Sequence, residues 1–217
     1  MREPFIQNHQ YNSIRKQVGQ LQHACATISD PAVVRAIRHS THSKLLDIFP
    51  GLTPDQKQLL EQFPVILLAE QFQPALLSLE PYMEPFPAVT ERELHKLFPK
   101  VKKLKTPDLS SIDFRYMTYL SWLDIATNKM FLVYNWNGRL VGVEGTFTPA
   151  NKKGVCFLCN HHEEVALFTA ISKSRPAGAS PDYYRAHGNY MCVSSGNCNK
   201  NLTDKSALDQ FIQEIIQ

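Results

Sequence analysis

The 217-residue sequence predicts an α+β protein, with helices gathered at the front and antiparallel strands behind them, and three features carry this expectation. Apolar residues recur at steps of three and four over the first 80 positions, the spacing of one helix face. From Asp113 the step changes to two, the spacing of one strand face. Near the end stand two short cysteine clusters, Cys156-Phe-Leu-Cys159 and Cys192-x5-Cys198, followed by a final helical stripe.

The length exceeds the roughly 100–150 residues of a typical domain, so two domains are expected. They are a helical bundle over residues 1–80 and an α/β domain over 90–217, joined by a proline-rich linker at 81–89. An apolar share of 43% is ordinary, and no run approaches the ~18 apolar residues of a membrane span. The first residues, Met1-Arg-Glu-Pro-Phe-Ile-Gln-Asn8, lack the apolar core of a secretory signal, so a soluble cytoplasmic protein with reduced cysteines is expected. Charge is uneven: residues 1–88 carry seven basic and eight acidic side chains, leaving 16 basic against 12 acidic beyond, so the C-terminal part is the mildly basic one.

Ile14, Val18, Leu21, Cys25 and Ile28 form one face of a first helix from about Pro4 to Thr27, in which Cys25 reads as a small core residue. Asp30-Pro31 is a helix start, because the aspartate accepts from free N–H groups and proline at the first position loses no hydrogen bond. Val34, Ile37, Thr41, Leu45 and Ile48 carry this second helix to Phe49-Pro50-Gly51. Thr53-x-x-Gln56 is a capping box that opens a third helix through Leu59, Leu60 and Phe63. A fourth, from Val65 to Leu79, is apolar round much of its circumference and should kink at Pro74. His23, His39 and His42 lack paired i, i+4 ligand spacing and read as surface or satisfied core residues.

After the prolines of Glu80 to Pro87, a second capping box, Thr90-x-x-Glu93, starts a short helix ending at Phe98-Pro99. Lys100, Lys102, Lys103 and Lys105 then form the one dense basic run, which could grip phosphate. Phe114, Tyr116, Thr118, Leu120 and Trp122 alternate with Arg115, Met117, Tyr119 and Ser121. Further strands are expected at Met130–Tyr134, Leu140–Phe147 and Val165–Ile171, with a turn at Ala126–Lys129, a hairpin at Asn137-Gly138 and a polar loop over Lys173–Pro181. The final helix, Asp204–Ile216, carries Leu208, Phe211, Ile212 and Ile215 on one face, with Thr203 or Asp204 as cap.

A C-x2-C pair and a C-x5-C pair separated by 32 residues supply four soft thiolates, the donor set of a closed tetrahedral zinc site. Two disulfides or four unrelated thiols are the alternatives. A closed site leaves no position for water, so one structural zinc and no catalysis is the expectation. His161 or His162 could replace one cysteine as ligand, and that alternative stays open. A knuckle, a hairpin and a helix behind the last cysteine is the layout of a treble-clef finger, placed at about 150–217. His162-x-Glu164 does not make a zinc deaminase, since the C-x2-C precedes it and lacks the proline. No phosphate loop, G-x-S-x-G or H-E-x-x-H occurs.

The combination of a helical first half, Leu97-Phe-Pro-Lys-Val-Lys-Lys-Leu-Lys105, the Asp113–Phe147 meander, Cys156-Phe-Leu-Cys159 and Tyr190-x-Cys192-x5-Cys198-Asn199 resembles the FusB-type elongation factor G-binding proteins of Gram-positive bacteria. The resemblance covers essentially the whole chain. It implies a monomeric, non-enzymatic zinc protein that binds elongation factor G and promotes its release from ribosomes on which fusidic acid has trapped it. It also implies a binding face of aromatic and basic residues around the finger: Phe157, Tyr190 and Phe211. His187 stands where a basic residue is expected, and Arg185 or Lys200 are alternative sources of charge. An RNA- or ribosome-binding zinc module using the lysine run is the competing reading.

Overall fold

The computed structural model describes residues 3–172, 178, 180 and 183–216. It divides into two compact units, Met1–Glu84 and Pro85–Gln217. Most of the loop expected at Lys173–Pro181 lies outside the described residues.

The first unit holds α1 (Asn8–Thr27), α2 (Pro31–Asp47), α3 (Pro54–Val65) and the short α4 (Phe72–Leu77). Ile14, Val18 and Leu21 of α1 are fully buried. The helix starts four residues later than its stripe suggested, because the preceding backbone is committed elsewhere. Phe5 and Ile6 donate to the Tyr82 carbonyl at 2.9 and 3.0 Å, and Glu84 donates to that of Ile6 at 2.9 Å. Asp30 accepts from the Ala32 amide at 2.8 Å to cap α2, and Thr53 and Gln56 form the expected capping box of α3. Cys25 is half-buried, its sulfur accepting from the Arg38 guanidinium at 3.3 Å.

The fourth helix is where local pattern misleads. Pro64 closes α3, and Arg38 donates to the carbonyls of Pro64 and Ile66 at 2.5 and 2.6 Å, holding the chain out of helical geometry. Val65, Leu67 and Leu68 are therefore exposed, and Ala69–Gln71 makes a single 3-10 turn before α4. Pro74 lies in the first turn of α4, where its missing N–H costs nothing, so no kink arises. The stretch read as a linker at 81–89 is packed at both ends. Met83 is 3% exposed and bridges Ile6, while Phe86 and Val89 are buried and the Phe86 amide donates to Phe114 O at 2.9 Å.

The second unit is built on a five-stranded antiparallel sheet of order β1-β2-β3-β6-β7: β1 (Tyr119–Asp124), β2 (Lys129–Trp136), β3 (Arg139–Pro149), β6 (Val165–Ile171) and β7 (Ala186–Cys192). Between β3 and β6 the ribbon β4 (Gly154–Val155) and β5 (His162–Glu163) projects as a separate pair. Asn137 and Gly138, at φ 52° and 79°, make the hairpin turn that positive φ at both central residues requires. β1 begins at Tyr119, later than its alternation suggested. Asp113 caps a 3-10 turn over Phe114–Tyr116, accepting from the Arg115 amide at 3.0 Å, and takes those residues out of the strand.

The sheet is covered on both faces. On one, α5 (Glu91–Leu97) and the segment after it bring Leu94, Phe98 and Leu104 against Leu120, Phe131 and Val133. A Cβ at Gly142 would meet the Phe98 ring at 2.9 Å, so that approach needs glycine. On the other lie α6 (Ser195–Asn201) and α7 (Ser206–Ile216), with Leu208, Phe211, Ile212 and Ile215 buried against Tyr134, Phe168 and Met191. Each such side chain contributes about 1.5–3 kcal/mol of transfer free energy. Tyr134 adds a hydrogen bond to Asp209 on α7, and burial together with that carboxylate pushes its phenol well above the ordinary range. Asp204 accepts from the Ser206 amide at 2.9 Å and caps α7.

Candidate metal centre and the surface beside it

The first cysteine pair lies in a tight knuckle between β4 and β5. The Cys156 amide donates to His161 O at 3.0 Å and the Asn160 amide to Cys156 O at 2.9 Å, with Asn160 at φ 58° to complete the reversal. Asparagine tolerates that left-handed conformation better than most residues. The second pair uses a different device. Cys192 is the last residue of β7, and Ser194 caps α6 by accepting from the Asn197 amide at 3.2 Å, so Cys198 sits one turn inside that helix. The five-residue spacing is what strand end, cap and first turn require.

All four cysteines are free, at most 5% exposed, and their sulfurs lie within 4.8 Å of one another. Cys156 to Cys198 is 3.8 Å and Cys159 to Cys192 is 3.6 Å, far beyond the ~2.05 Å of a disulfide bond. A tetrahedron with zinc–sulfur distances of about 2.3 Å has edges of about 3.8 Å, so the donor set fits zinc without rearrangement. His161 Nδ1 is 2.8 Å from the Cys159 carbonyl, and His162 is exposed on β5; among the described residues the metal-binding cluster consists of the four cysteines alone. The site holds one structural zinc.

Electrostatics point the same way. Hydrogen bonds from the other three sulfurs hold the Cys156 thiol well below its ordinary range, while Cys156 and burial push Cys192 and Cys198 up. Four thiolates cannot coexist there without a cation. Zinc uptake by metal-free protein is therefore expected to release protons and to weaken as pH falls. Calorimetry in buffers of different ionisation enthalpy measures this, and a proton count of zero would contradict it.

Of the four aromatic and basic side chains expected at a binding face, the structure places two at or near the surface and two inside. Tyr190 is 50% exposed on β7, opposite Leu167 in register. Phe157 is half-buried, and its amide donates to Tyr190 O at 2.9 Å, which ties the knuckle to the strand carrying that ring. Phe211 is 2% exposed, with ring centroids 5.4 Å from Phe157 and 5.8 Å from Phe168, because its stripe packs α7 on the sheet. His187 has only 9% of its side chain exposed, and its Nδ1 lies 2.9 Å from a Glu214 carboxylate oxygen on α7. Those two side chains face inward. Arg185 and Lys200 are exposed.

Two residues at the site escape sequence reasoning. Asn199, 2% exposed and adjacent to Cys198, accepts from the amides of Thr118 and Tyr119 at 2.7 and 3.3 Å and donates to Tyr119 O at 2.8 Å and Ser195 O at 3.0 Å. It rivets α6 to β1. The signal available was Ser194-x-x-Asn197, a helix cap, obscured by a glycine- and asparagine-rich helix that propensity reads as loop. Tyr119, which alternation sets on the face opposite Leu120, is fully buried in the apolar cluster that contains the four cysteines.

A knuckle on a small ribbon, an antiparallel strand ending in the third ligand and a helix carrying the fourth define a treble-clef zinc-finger protein. Residues 99–214 match the family described as FBP C-terminal treble-clef zinc-finger, and residues 5–87 match that described as Elongation factor G-binding protein, N-terminal. The chain belongs to the FusB-type elongation factor G-binding protein family. Its fold is similar to the solved structure of the fusidic acid resistance protein FusC, with a TM-score of 0.80 and 27% identity, covering 99% of this chain and 98% of that one. No curated protein matches it. No helix among the described residues is long and apolar enough to cross a membrane.

Proposed function

We propose that this chain is a cytoplasmic, monomeric, non-enzymatic protein that binds elongation factor G through the zinc end of its C-terminal unit. Binding promotes release of the factor from ribosomes stalled by fusidic acid, so resistance arises by protecting the target while the drug stays unaltered. The observation that carries the reading is Tyr190: a large ring left half exposed on a strand whose next but one residue is a metal ligand. A rigid aromatic of this kind is a typical hot spot, because little side-chain freedom remains to be lost on binding. Family membership and the likeness to a fusidic acid resistance protein support the choice of partner. Phe157 and the exposed Val155 extend the face, with Phe211 and His187 acting from beneath it.

Tyr190→Ala is expected to weaken binding to purified elongation factor G by about ten- to a hundredfold, the range of a truncated hot spot, with one zinc retained per chain. Calorimetry with metal analysis on the same sample checks both, and unchanged affinity removes Tyr190 from the interface. The exposed Lys100, Lys102, Lys103 and Lys105 favour the second reading, a module acting on RNA or the ribosome in translation with no role in resistance. That reading requires strongly salt-dependent binding to bare RNA that is lost in a Lys102→Ala, Lys103→Ala variant.

A further inference from the structure

We infer that the trough between α5 and the open half of the sheet face it packs on is a docking groove for an acidic, apolar-tipped protein segment. Resting on the reading above, that segment belongs to elongation factor G. The helix and the chain after it do not cover the whole face. Leu94, Phe98 and Leu104 close it over β1 and β2, and the Phe98 ring sits on Gly142 of β3. Beyond that point β6 and β7 present every second residue to the same side: Thr169 and Ile171 on one, Ala186, Gly188 and Tyr190 on the other. Phe168 and Ala170, which alternate with them, pack into the core on the opposite face. A trough of about 560 Å³ lies at this step, walled by Leu97, Phe98, Thr169, Ile171, Tyr184 and Ala186. At its rim Ile171 is 58% exposed and Tyr184 71%. Tyr190 stands four strand positions from Ala186, about 13 Å along β7, so the half-exposed ring and the trough share one surface. Apolar groups this exposed and this close together mark a binding surface.

Charge decides what fills it. Lys100 lines the trough, and the basic run continues from it through Lys102, Lys103 and Lys105. All four are exposed, and among the described residues none is paired with a carboxylate. Glu144, the acid of the trough wall, is already paired with Lys129. The site therefore offers an apolar slot beside uncompensated positive charge. A nucleic-acid strand would engage the lysines and leave the slot empty. A protein segment that carries an apolar side chain next to Asp or Glu engages both. Complementary charge on such a rim speeds encounter and fixes register, while the side chain seated in the slot sets the lifetime of the complex.

Binding kinetics of the full zinc-loaded chain with purified elongation factor G test the groove. Ile171→Asp, at a position exposed enough to accept a charge, is expected to shorten the lifetime of the complex about tenfold or more with zinc retained. Lys100→Glu combined with Lys103→Glu is expected to slow association about tenfold at low salt and to flatten its salt dependence. Photo-crosslinking from p-benzoylphenylalanine placed at position 171 should map to a stretch of the factor with net negative charge. Should Ile171→Asp fold poorly, Tyr184→Ala, which only shortens an exposed ring, must show the shorter lifetime. Wild-type kinetics in these variants while Tyr190→Ala weakens binding would overturn the groove and leave the choice of partner standing. A wild-type chain that does not bind the factor overturns both. An effect of Ile171→Asp without one of the lysines, or a crosslink to a neutral or basic stretch, refutes the acidic occupant. Lysine changes that abolish binding to bare RNA and leave the factor's kinetics untouched assign the run to RNA instead.

Discussion

Cys198→Ser is expected to lose the zinc and, with it, the folded C-terminal unit. Structural zinc contributes on the order of 10–16 kcal/mol of apparent free energy at neutral pH, while a whole domain is stable by only about 5–15 kcal/mol. The metal term is as large as the total margin, so removing a ligand cannot be absorbed as a local loosening. Cys198 also lies in α6, next to the Asn199 that ties this helix to β1, and belongs to the cluster that includes Leu208, Phe211 and Ile212 of α7. Metal analysis should return no bound zinc, near-ultraviolet circular dichroism should lose the signals of the buried aromatics, and binding to elongation factor G should vanish. Cys25→Ser, in α1, should keep the full complement of zinc. A zinc-free Cys198→Ser chain that remains folded and binds the factor tightly would show that the metal is dispensable.

The second large effect is expected from Asn199→Ala. One buried amide serves two backbone N–H groups and two carbonyls at the seam between α6 and β1. Each buried group left without a partner costs about 1–3 kcal/mol, so a loss of roughly 3–5 kcal/mol is expected once some of the four relax toward water. Asn199→Asp should fare no better although it keeps both acceptor bonds. It forfeits the two donated bonds and places a negative charge near the thiolates. Urea unfolding of zinc-loaded protein gives the stability change. A loss below about 1 kcal/mol, within the scatter of ordinary substitutions, would mean that zinc alone holds the helix.

These two residues illustrate how unevenly the site can be read in advance. The ligands are legible because metal chemistry restricts both residue type and spacing: thiolates with two residues between them in the knuckle and five between the strand end and the helix. Asn199 and Tyr119 have no such signature. A hydrogen bond across 80 residues leaves no periodic trace. Alternation reports only that Tyr119 and Leu120 point opposite ways, and in a sheet covered on both sides each direction leads into a core. The same limit explains Phe211 and His187, whose side chains turn toward the sheet and toward Glu214 because α7 lies across the strands.

The helices divide along the same line. Asp30-Pro31, Thr53-x-x-Gln56 and Thr90-x-x-Glu93 announce their helix starts because a cap is a contact between near neighbours. The stretch after Pro64 is apolar enough for a buried helix, yet Arg38, 26 residues earlier, takes its carbonyls and leaves Val65 and Leu67 in solvent.

The sequence by itself determined the α+β order, the caps, the Asn137-Gly138 hairpin and the four zinc ligands, because each rests on chemistry within a few residues or on a donor set that few metals share. Only the tertiary structure decided which aromatic faces outward, which tyrosine is buried in the cluster that holds the cysteines and which asparagine joins the metal helix to the sheet. Those outcomes depend on what a second element brings to the other side of a side chain, and a linear pattern carries no record of that.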